Sequence, residues 1–314
     1  MSSACYVFPG QGSQRVGMGK ELYDKYESSR KIFETGKRIY GQELLDLMFE
    51  GNKEDEKELK KTINSQRAIV LNNLAYFVAL KEKGPPCSSV MGHSVGEYSA
   101  LIASEAIPLE EGLRLVEARA ELMKKAIPEN KGNGNQHYMA AVLTEDLKII
   151  EEICKKYSNK NGKIVQIANI NSPSQIVISG HSEAIKEVSE TLKKEGIKKI
   201  IYLNVEGPFH SEIMRSASRG LKKILKKIQV EKPKIPFIAN VTANFESNPW
   251  KIKKLLSRQI SEPVKWKESL DNLIRNYWED TFIESGSGGI QTRILEKLKK
   301  YYPRLKILNP EEFI

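Results

Sequence analysis

Apolar and polar positions along the chain alternate between strand-like runs and helical periodicity. A short apolar run from Cys5 to Phe8 ends in a turn, which predicts a buried strand. Helical periodicity dominates from about Lys20 to Lys83 and stops at Pro85-Pro86. Ser88 to Met91 is a second brief strand, which turns into a helix beginning near Glu97. Strands that alternate with helices in this way predict an α/β domain.

A different order of elements begins after the loop Glu129 to Gln136, whose Gly and Asn residues indicate a subdomain boundary. The pattern as far as Val205 predicts strand, helix, strand, strand, helix, strand, which is the ferredoxin-like order. We therefore predict a small subdomain, residues 131–205, inserted into a larger α/β subdomain made of residues 1–130 and 206–314. The larger subdomain should add more helix, a strand at Ile235 to Asn240 and a strand–turn–helix unit around Phe282 to Leu298. The elements predicted within the small subdomain are Tyr138 to Leu143, Glu145 to Tyr157, Ile164 to Ile170, Gln175 to Ser179, Ser182 to Glu195 and Lys199 to Val205.

The composition is that of a soluble globular protein, with 40% hydrophobic and 29% charged residues. No apolar run is long enough to cross a bilayer and the first residues form no secretory signal, so no membrane association is expected. Cys5, Cys87 and Cys154 lie far apart without a CxxC pair, which is typical of a reducing compartment and disfavours zinc. We expect a cytoplasmic location. An organellar location, reached with a transit peptide that has been removed, stays an alternative.

The balance of 50 Lys and Arg against 40 Asp and Glu gives a net charge of +10, which favours an acidic partner. Charge alone leaves three candidate partners, which are nucleic acid, an acidic carrier protein and the phosphates of coenzyme A. It also leaves the alternative that the lysines only solvate helix faces. No nucleic-acid recognition motif is apparent, so no nucleic-acid partner is expected. The basic runs are Lys193-Lys194, Lys198-Lys199, Lys222-Lys223, Lys226-Lys227 and Lys251 to Lys254.

The frame Gly92-x-Ser94-x-Gly96 stands between a predicted strand and a predicted helix, as in a nucleophile elbow. In such a turn, strained backbone projects the serine hydroxyl from the sheet edge and the glycines leave room for it. The N-terminus of the following helix favours developing negative charge. An ordinary strand–helix turn is the alternative.

A serine nucleophile needs a base, and elimination among the four histidines favours His210, in a turn after a strand of the larger subdomain. His93 adjoins Ser94 and should point away from it, His137 lies in the boundary loop, and His181 is better explained as a turn or cap residue. A structural role for His210 stays open at this point. About a hundred residues follow it and no acidic residue is obviously placed to complete a triad, which counts against a lipase or esterase.

Helical periodicity also singles out one arginine. Arg119 lies at the edge of an expected buried stripe, whereas Arg114 points nearly opposite, toward solvent. An arginine at such a margin needs an anionic partner, and its planar fork suits a carboxylate. A ligand carboxylate and a salt bridge to a neighbouring glutamate are equal alternatives. The stripe consists of Leu113, Val116, Ala120, Met123 and Ile127.

Several longer motifs carry a resemblance to a known family. The sequence resembles malonyl-CoA:acyl carrier protein transacylases and the acyltransferase domains of polyketide synthases, whose motifs occur here in the same order over almost the whole chain. The resemblance implies an α/β-hydrolase-like core with an inserted ferredoxin-like small subdomain. The matching segments are Phe8 to Gln14, Gly92 to Ala100, Val116 to Met123, Asn169 to Pro173, Phe209 to Ser211 and Gln259 to Trp266.

The resemblance implies a catalytic role for five of these residues. Ser94 would hold the acyl group as an ester, and His210 would take the serine proton and later activate the incoming thiol. The main-chain carbonyl of Gln259, in place of an acid, would orient the histidine. Backbone N–H groups of Gln11 and Val95 would form the oxyanion hole, where each donor is typically worth roughly 3 kcal/mol in the transition state.

Substrate contacts are implied in the same way. Arg119 would pair with the free carboxylate of malonate, and Gln11, Asn169, Asn171 and Phe209 stand at substrate-binding positions. Phe209, together with Val95, matches the malonyl-selecting form, because methylmalonyl-selecting relatives usually carry Ser and Gln there. Three departures leave the shape of the pocket open: Gly286-Ser287-Gly288 replaces Gly-Pro-Gly, Ser65 to Ala68 replaces Thr-Gln-Pro-Ala, and the loop Asn130 to His137 is long and polar.

We therefore predict a malonyl-CoA:acyl carrier protein S-malonyltransferase that works through a serine ester, as a monomer, with an acidic carrier protein as partner. Coenzyme A enters as the thioester substrate and phosphopantetheine sits on the carrier, so no cofactor of its own and no metal are expected. A free-standing polyketide acyltransferase of another extender specificity has the same chemistry and stays open. A carrier-protein acyl hydrolase should lack Arg119, and intact Ser94 and His210 argue against a non-enzymatic scaffold.

Overall fold

The computed structural model describes residues 3–52, 54–128, 138–158 and 162–314. Its strands are β1 (Ala4–Phe8), β2 (Cys87–Gly92), β3 (Met139–Val142), β4 (Val165–Ser172), β5 (Gln175–Gly180), β6 (Ile200–Tyr202), β7 (Phe237–Ile238), β8 (Thr281–Glu284) and β9 (Lys306–Leu308). Its helices are α1 (Lys20–Lys25), α2 (Glu27–Tyr40), α3 (Gln42–Phe49), α4 (Asp55–Lys60), α5 (Thr62–Lys83), α6 (Gly96–Ala103), α7 (Leu109–Lys125), α8 (Leu147–Tyr157), α9 (Ser182–Lys194), α10 (Arg215–Leu225), α11 (Pro249–Gln259), α12 (Trp266–Asn276) and α13 (Ile290–Leu298).

The larger unit is built on a parallel sheet of five strands in the order β7-β2-β1-β8-β9. Every residue of the central strand β1 is buried, which explains its continuous apolar run, because a strand inside a parallel sheet is covered on both faces. Phe8 at the end of β1 pairs with Gly92 at the end of β2. Both strands therefore end at the same edge of the sheet, where open α/β folds place their sites.

The smaller unit is an antiparallel sheet of four strands in the order β4-β5-β3-β6. Helices α8 and α9 cover it and share its separate apolar cluster. The expected fold class, an α/β core with a ferredoxin-like subdomain, is confirmed. The loop Glu129 to Gln136 and the proposed boundary between residues 130 and 131 lie outside the described residues, so the domain limits stay a prediction.

Several predicted elements differ in extent from those observed, two of them for a clear local reason. Helix α8 begins at Leu147 and not at Glu145, because the Asp146 side chain accepts the N–H of Ile149 and caps it. The strand predicted from Ile235 to Asn240 is reduced to β7, since Pro236 has no N–H for a ladder and Asn240 bonds elsewhere. The last strand of the small sheet is β6, shorter than the predicted Lys199 to Val205.

The small sheet meets the larger unit along β4, which lies against the segment that follows α11. Val264 pairs with Asn169 of β4, donating its N–H to Ala168 and accepting that of Ile170. Gln166, also on β4, donates to the main-chain oxygen of His210 at 3.3 Å. The small sheet thus forms one wall of the region around His210.

Among the residues that the structure describes, no helix combines the length and apolar character needed to span a membrane.

Candidate active site

Ser94 occupies a sharp turn between β2 and α6, with its backbone at φ 53°. This left-handed conformation is uncommon for a residue other than glycine and is often found at functional sites. The flanking glycines are required: a Cβ on Gly92 would lie 1.9 Å from the carbonyl oxygen of Gly96, and one on Gly96 would lie 2.3 Å from that of Phe8. The turn is a nucleophile elbow in geometry as well as in sequence.

Asn240, just after β7, holds this elbow in place with its side chain. Its Oδ1 accepts the N–H of Ser94 at 2.9 Å, and its Nδ2 donates to the carbonyl oxygen of Gly92 at 2.7 Å. Two backbone groups that the sharp turn leaves without partners in the turn are thereby satisfied by one buried amide. The asparagine therefore belongs to the structure that supports the nucleophile.

His210 lies against the serine hydroxyl. Its Nε2 is 2.7 Å from Ser94 Oγ, and its Nδ1 is 2.7 Å from the main-chain oxygen of Gln259, the last residue of α11. A carbonyl oxygen only accepts, so Nδ1 carries the proton and Nε2 is free to accept from the serine. His210 also has left-handed backbone, at φ 57°. The Ser94, His210 and Gln259 arrangement expected from the sequence is thus present.

Burial governs the charge of this histidine. Burial first, and then the positive charge of Arg119, lower the pKa of His210 to about 3, whereas its bond to the Gln259 carbonyl opposes the shift. The ring is neutral at physiological pH and ready to accept a proton. No negative carboxylate is needed to hold it, because the carbonyl already fixes the tautomer and the ring orientation.

Arg119 reaches the same serine from α7. Its Nη2 donates to Ser94 Oγ at 3.2 Å and to Gln259 Oε1 at 3.0 Å, while Nη1 donates to Gln66 Oε1. Its guanidinium carbon lies 5.4 Å from the centre of the Tyr98 ring, a cation–π contact. The side chain is only 1% exposed, so the expectation that Arg119 lies at the edge of the buried stripe is wrong: it is inside.

One neighbouring glutamate on α7 pairs with another arginine and not with Arg119. Glu117 pairs with Arg67 at 3.2 Å, and Arg114 on the opposite side of α7 is exposed as expected. Within the described ranges no carboxylate lies within salt-bridge distance of Arg119. Only neutral groups hold its two NH₂ ends, so the fork can still pair with a carboxylate brought by a ligand.

Gln11 lies in the turn that packs against the elbow, and Val95 lies in the elbow itself. Val95 follows the serine directly, and Gln11 lies in the turn after β1, where a Cβ on Gly10 would come within 2.4 Å of the carbonyl oxygen of His93. Neither N–H donates to another group in the part of the chain that the structure describes. Two unused donors near a nucleophile are what an oxyanion hole requires.

The other substrate-binding candidates lie on β4 or directly before His210. Asn171 on β4 bonds through Oδ1 to Nε2 of His93 at 2.9 Å, so its amide is tied to the residue before the nucleophile. His93 also contacts Trp266 edge to face, at 5.2 Å between ring centres. Asn169 is 5% exposed and Phe209 is 4% exposed. Phe209 precedes His210 and packs in the main apolar core.

Two further histidines were weighed as bases. His181 is the N-cap residue of α9, and its Nδ1 accepts the N–H of Ile164 at 2.8 Å, which confirms its structural role. His137 lies outside the described residues. Within those residues no group of His, Cys, Asp and Glu side chains could hold a metal ion.

The family follows from comparison with known proteins. The family model described as "Acyl transferase domain" matches residues 5–297. The chain belongs to the acyl transferase domain family. It is 36% identical over 311 residues to the malonyl CoA-acyl carrier protein transacylase of Bacillus subtilis, covering 99% of this chain and 95% of that protein. It is 35% identical over 300 residues to that of Staphylococcus aureus strain MRSA252, covering 96% and 94%.

Solved structures of the acyl transferase family share the fold. The malonyl CoA-acyl carrier protein transacylase of Coxiella burnetii superposes with a TM-score of 0.89 at 32% identity, over 98% of this chain and 93% of that one. A type II polyketide synthase malonyl-transacylase, solved in complex with its acyl-carrier protein, gives a TM-score of 0.89 at 32% identity over 98% and 96%.

This acyl transferase site contains three polar side chains that were not among the site residues predicted from the sequence. Gln66 on α5 holds Arg119, Asn240 holds the elbow, and Glu97 lies buried behind Ser94. Glu97 lies in the matching segment Gly92 to Ala100, and Gln66 lies in Ser65 to Ala68, which was compared with the family pattern. Their place in these motifs was the sequence signal that could have identified them. Asn240 gave none, because its partners lie more than a hundred residues away in the chain.

Proposed function

We propose that the protein transfers a malonyl group from malonyl-CoA to the phosphopantetheine thiol of an acyl carrier protein, through an ester on Ser94. One observation carries the proposal: the Ser94 hydroxyl lies within hydrogen-bonding distance of both His210 Nε2 and Arg119 Nη2. A nucleophile, its base and a buried cation, which has no carboxylate partner within the described residues, thus meet at one atom. An acyl thioester with a free carboxylate matches all three groups.

In the first half of the reaction, Ser94 Oγ attacks the thioester carbonyl while His210 Nε2 takes the serine proton. The N–H groups of Gln11 and Val95 donate hydrogen bonds to the carbonyl oxygen and stabilise the negative charge that develops on it. Collapse of this intermediate breaks the carbon–sulfur bond. The protonated His210 then gives its proton to the departing coenzyme A sulfur, leaving malonyl-Ser94.

In the second half, the roles reverse with the carrier thiol as nucleophile. His210 Nε2 takes the thiol proton, and the sulfur attacks the ester carbonyl. The carbon–oxygen bond to Ser94 breaks and the serine recovers a proton from His210. The product is the malonyl thioester of the carrier, and the enzyme returns to its starting state with no net change of charge.

Arg119 supplies the preference for a substrate that ends in a carboxylate. A guanidinium buried in a low-dielectric site gains more from such a partner than an exposed one does. Burial is the main cause of the low pKa of His210 and the positive charge of Arg119 the second, and the same carboxylate offsets that second contribution. The bound malonyl group therefore makes its own catalytic base stronger, and an acetyl group does not.

The carrier remains a partner by proposal, supported by the names of relatives and by the excess of basic residues. The expected monomeric state, cytoplasmic location, lack of a cofactor and lack of a metal stay predictions. The choice between fatty acid and polyketide synthesis depends on which carrier accepts the malonyl group.

Intact-mass measurement after incubation with malonyl-CoA or acetyl-CoA tests the proposal. Wild-type protein should gain a malonyl adduct, pass it to added carrier protein, and gain less acetyl. Ser94→Ala should gain neither. Free malonate released without transfer to the carrier would indicate a hydrolase, and folded wild-type protein without any adduct would refute the coenzyme A substrate.

A further inference from the structure

Glu97 is a buried acid that the reaction described above does not use. It is the second residue of α6 and is 1% exposed. Both carboxylate oxygens are engaged: Oε1 accepts the N–H of Asn240 at 2.9 Å, and Oε2 accepts Nε2 of Gln259. A carboxyl group taken fully out of water in this way is costly to keep, so a role beyond packing is worth testing.

The carboxylate decides which way the Gln259 amide faces. An amide can present either its oxygen or its NH₂ to a neighbour, and both oxygens of Glu97 accept hydrogen bonds here. The NH₂ therefore points to Glu97 and also donates to the Ser94 carbonyl oxygen at 2.8 Å. The amide oxygen must then face the other way, where it accepts Nη2 of Arg119 at 3.0 Å.

The same amide separates the two opposite charges of the site. Among the described residues Arg119 contacts no carboxylate directly. Glu97 bonds one end of the Gln259 amide and Arg119 bonds the other, so the amide lies between the two charged groups. This spacing stabilises the buried guanidinium without occupying its fork with a permanent ion pair. A direct Glu97–Arg119 salt bridge would instead compete with any carboxylate carried by the substrate.

We propose that Glu97 is a positioning residue for malonyl selectivity: by orienting the Gln259 amide, it aims the Arg119 fork at Ser94 and leaves that fork open to the substrate carboxylate. The inference rests on the proposed function. It makes Gln259 serve two purposes, since its main-chain oxygen holds His210 and its side chain holds Arg119. Only the second depends on Glu97.

The test is Glu97→Gln, with Glu105→Gln as the matched control on an exposed residue just past the end of α6. Glu97 accepts from two donors, the N–H of Asn240 and the NH₂ of Gln259, whereas a glutamine has only one oxygen to accept with. Its own NH₂ then needs an acceptor, so the Gln259 amide turns over to present its oxygen to position 97 and its NH₂ to Arg119. Loss of a hydrogen bond to a charged group typically amounts to about 10- to 100-fold in an equilibrium. We expect kcat/KM for malonyl loading to fall by about that factor, mainly through KM, and acetyl loading to change by less than about threefold.

A double-mutant cycle keeps the inference open to refutation if Glu97→Gln is poorly folded. Gln259→Met removes the amide and keeps the main-chain oxygen, so it should give the same loss of malonyl preference. The double variant should then be no worse than either single one. Equal losses for both acyl groups, additive losses in the cycle, or an unchanged malonyl preference would each overturn the inference. Failure of the proposed function is separate, because then wild-type protein would not load malonyl at all.

Discussion

Nη2 of Arg119 lies 3.2 Å from Oγ of Ser94, so the cation that we propose selects the substrate contacts the atom that we propose attacks it. The serine oxygen accepts from Arg119 and donates to His210 in the same arrangement. An incoming carboxylate that captures Nη2 therefore frees a lone pair on the nucleophile. Recognition and attack are linked through one hydrogen bond.

Arg119→Lys should separate recognition from attack. A lysine carries one compact charge and cannot bond Gln66, Gln259 and a carboxylate together in the geometry of the planar fork. We expect kcat/KM for malonyl-CoA to fall by about 100-fold, while acetyl-CoA loading changes little. Rates of adduct formation, measured by quenched-flow mass spectrometry, give both values. Arg114→Lys on the exposed side of α7 should have no effect; an equal loss for both acyl groups at Arg119 would contradict the assignment.

The low pKa of His210 predicts a specific dependence of stability on pH. Because the folded value of about 3 lies below the ordinary 6.5, the unfolded chain takes up this proton first as the pH falls. The contribution is complete above pH 6.5 and is lost progressively on the way to pH 3. Between about pH 5.5 and 4, the free energy of unfolding of wild-type protein should fall by up to about 1.4 kcal/mol per pH unit more than that of His210→Gln.

Urea unfolding at several pH values measures that difference. His181→Gln, which removes a histidine outside the site, is the control and should follow the wild type. Parallel curves for wild type and His210→Gln would mean that His210 is not held neutral by the fold. The buried acid Glu97 acts in the opposite direction, since burial raises its pKa to about 7, but it is present in both proteins and cancels in the comparison.

Asn240→Ala should damage the nucleophile without changing substrate preference. It leaves the Ser94 N–H and the Gly92 carbonyl without their partner, and unsatisfied buried polar groups cost about 1–3 kcal/mol each. We expect loading of malonyl and acetyl to fall by similar factors, of order 100-fold, with a lower melting temperature. Asn244→Ala, on the exposed turn that follows, is the control. A selective loss of malonyl would assign Asn240 to recognition instead.

A cluster of lysines around an exposed tryptophan is the surface we expect to steer the carrier. Trp250 is 80% exposed and is flanked by Lys251, Lys253 and Lys254 on α11. These residues face Lys222 on α10 and Lys226, which follows the last residue of α10. Helix α11 ends at Gln259, which contacts His210, so the cluster lies about 14 Å along the helix from the site. Opposite charges accelerate encounter most at low salt.

Lys253→Glu/Lys254→Glu should therefore raise KM for the carrier at low salt and leave loading from malonyl-CoA unchanged. Lys193→Glu/Lys194→Glu, at the end of α9, changes the net charge equally and serves as the control. The difference should shrink as salt is added. Transfer to the carrier that is unaffected at low salt, or affected equally by both pairs, would exclude this cluster as the docking surface.

Local patterns in the sequence were sufficient for the parts of the site that local geometry builds. The strand before Ser94 and the helix after it, together with two close-packed glycines, define the elbow within five residues. Elimination among histidines led to His210, and the resemblance supplied the Gln259 carbonyl. Arg119 was found from helical periodicity, although its complete burial was not, because α5 and its Gln66 cover that side of α7.

The supporting polar network could not be read from the sequence. Glu97 contacts Asn240 and Gln259, which are 143 and 162 residues away, and such contacts exist only once the sheet and α11 have come together. A glutamate at the start of a helix usually faces solvent and favours the helix dipole. Nothing in its neighbours indicates that this one is buried under a nucleophile.

The left-handed backbone at Ser94 and His210 also limits which residues mutation can place there. Threonine would keep a hydroxyl, but a β-branched side chain is a genuine outlier at φ 53°. A change of nucleophile is therefore open only to an unbranched residue such as cysteine, unless the turn from Gly92 to Gly96 is rebuilt. Substitutions that keep the reacting pair intact are therefore confined to positions with ordinary backbone geometry.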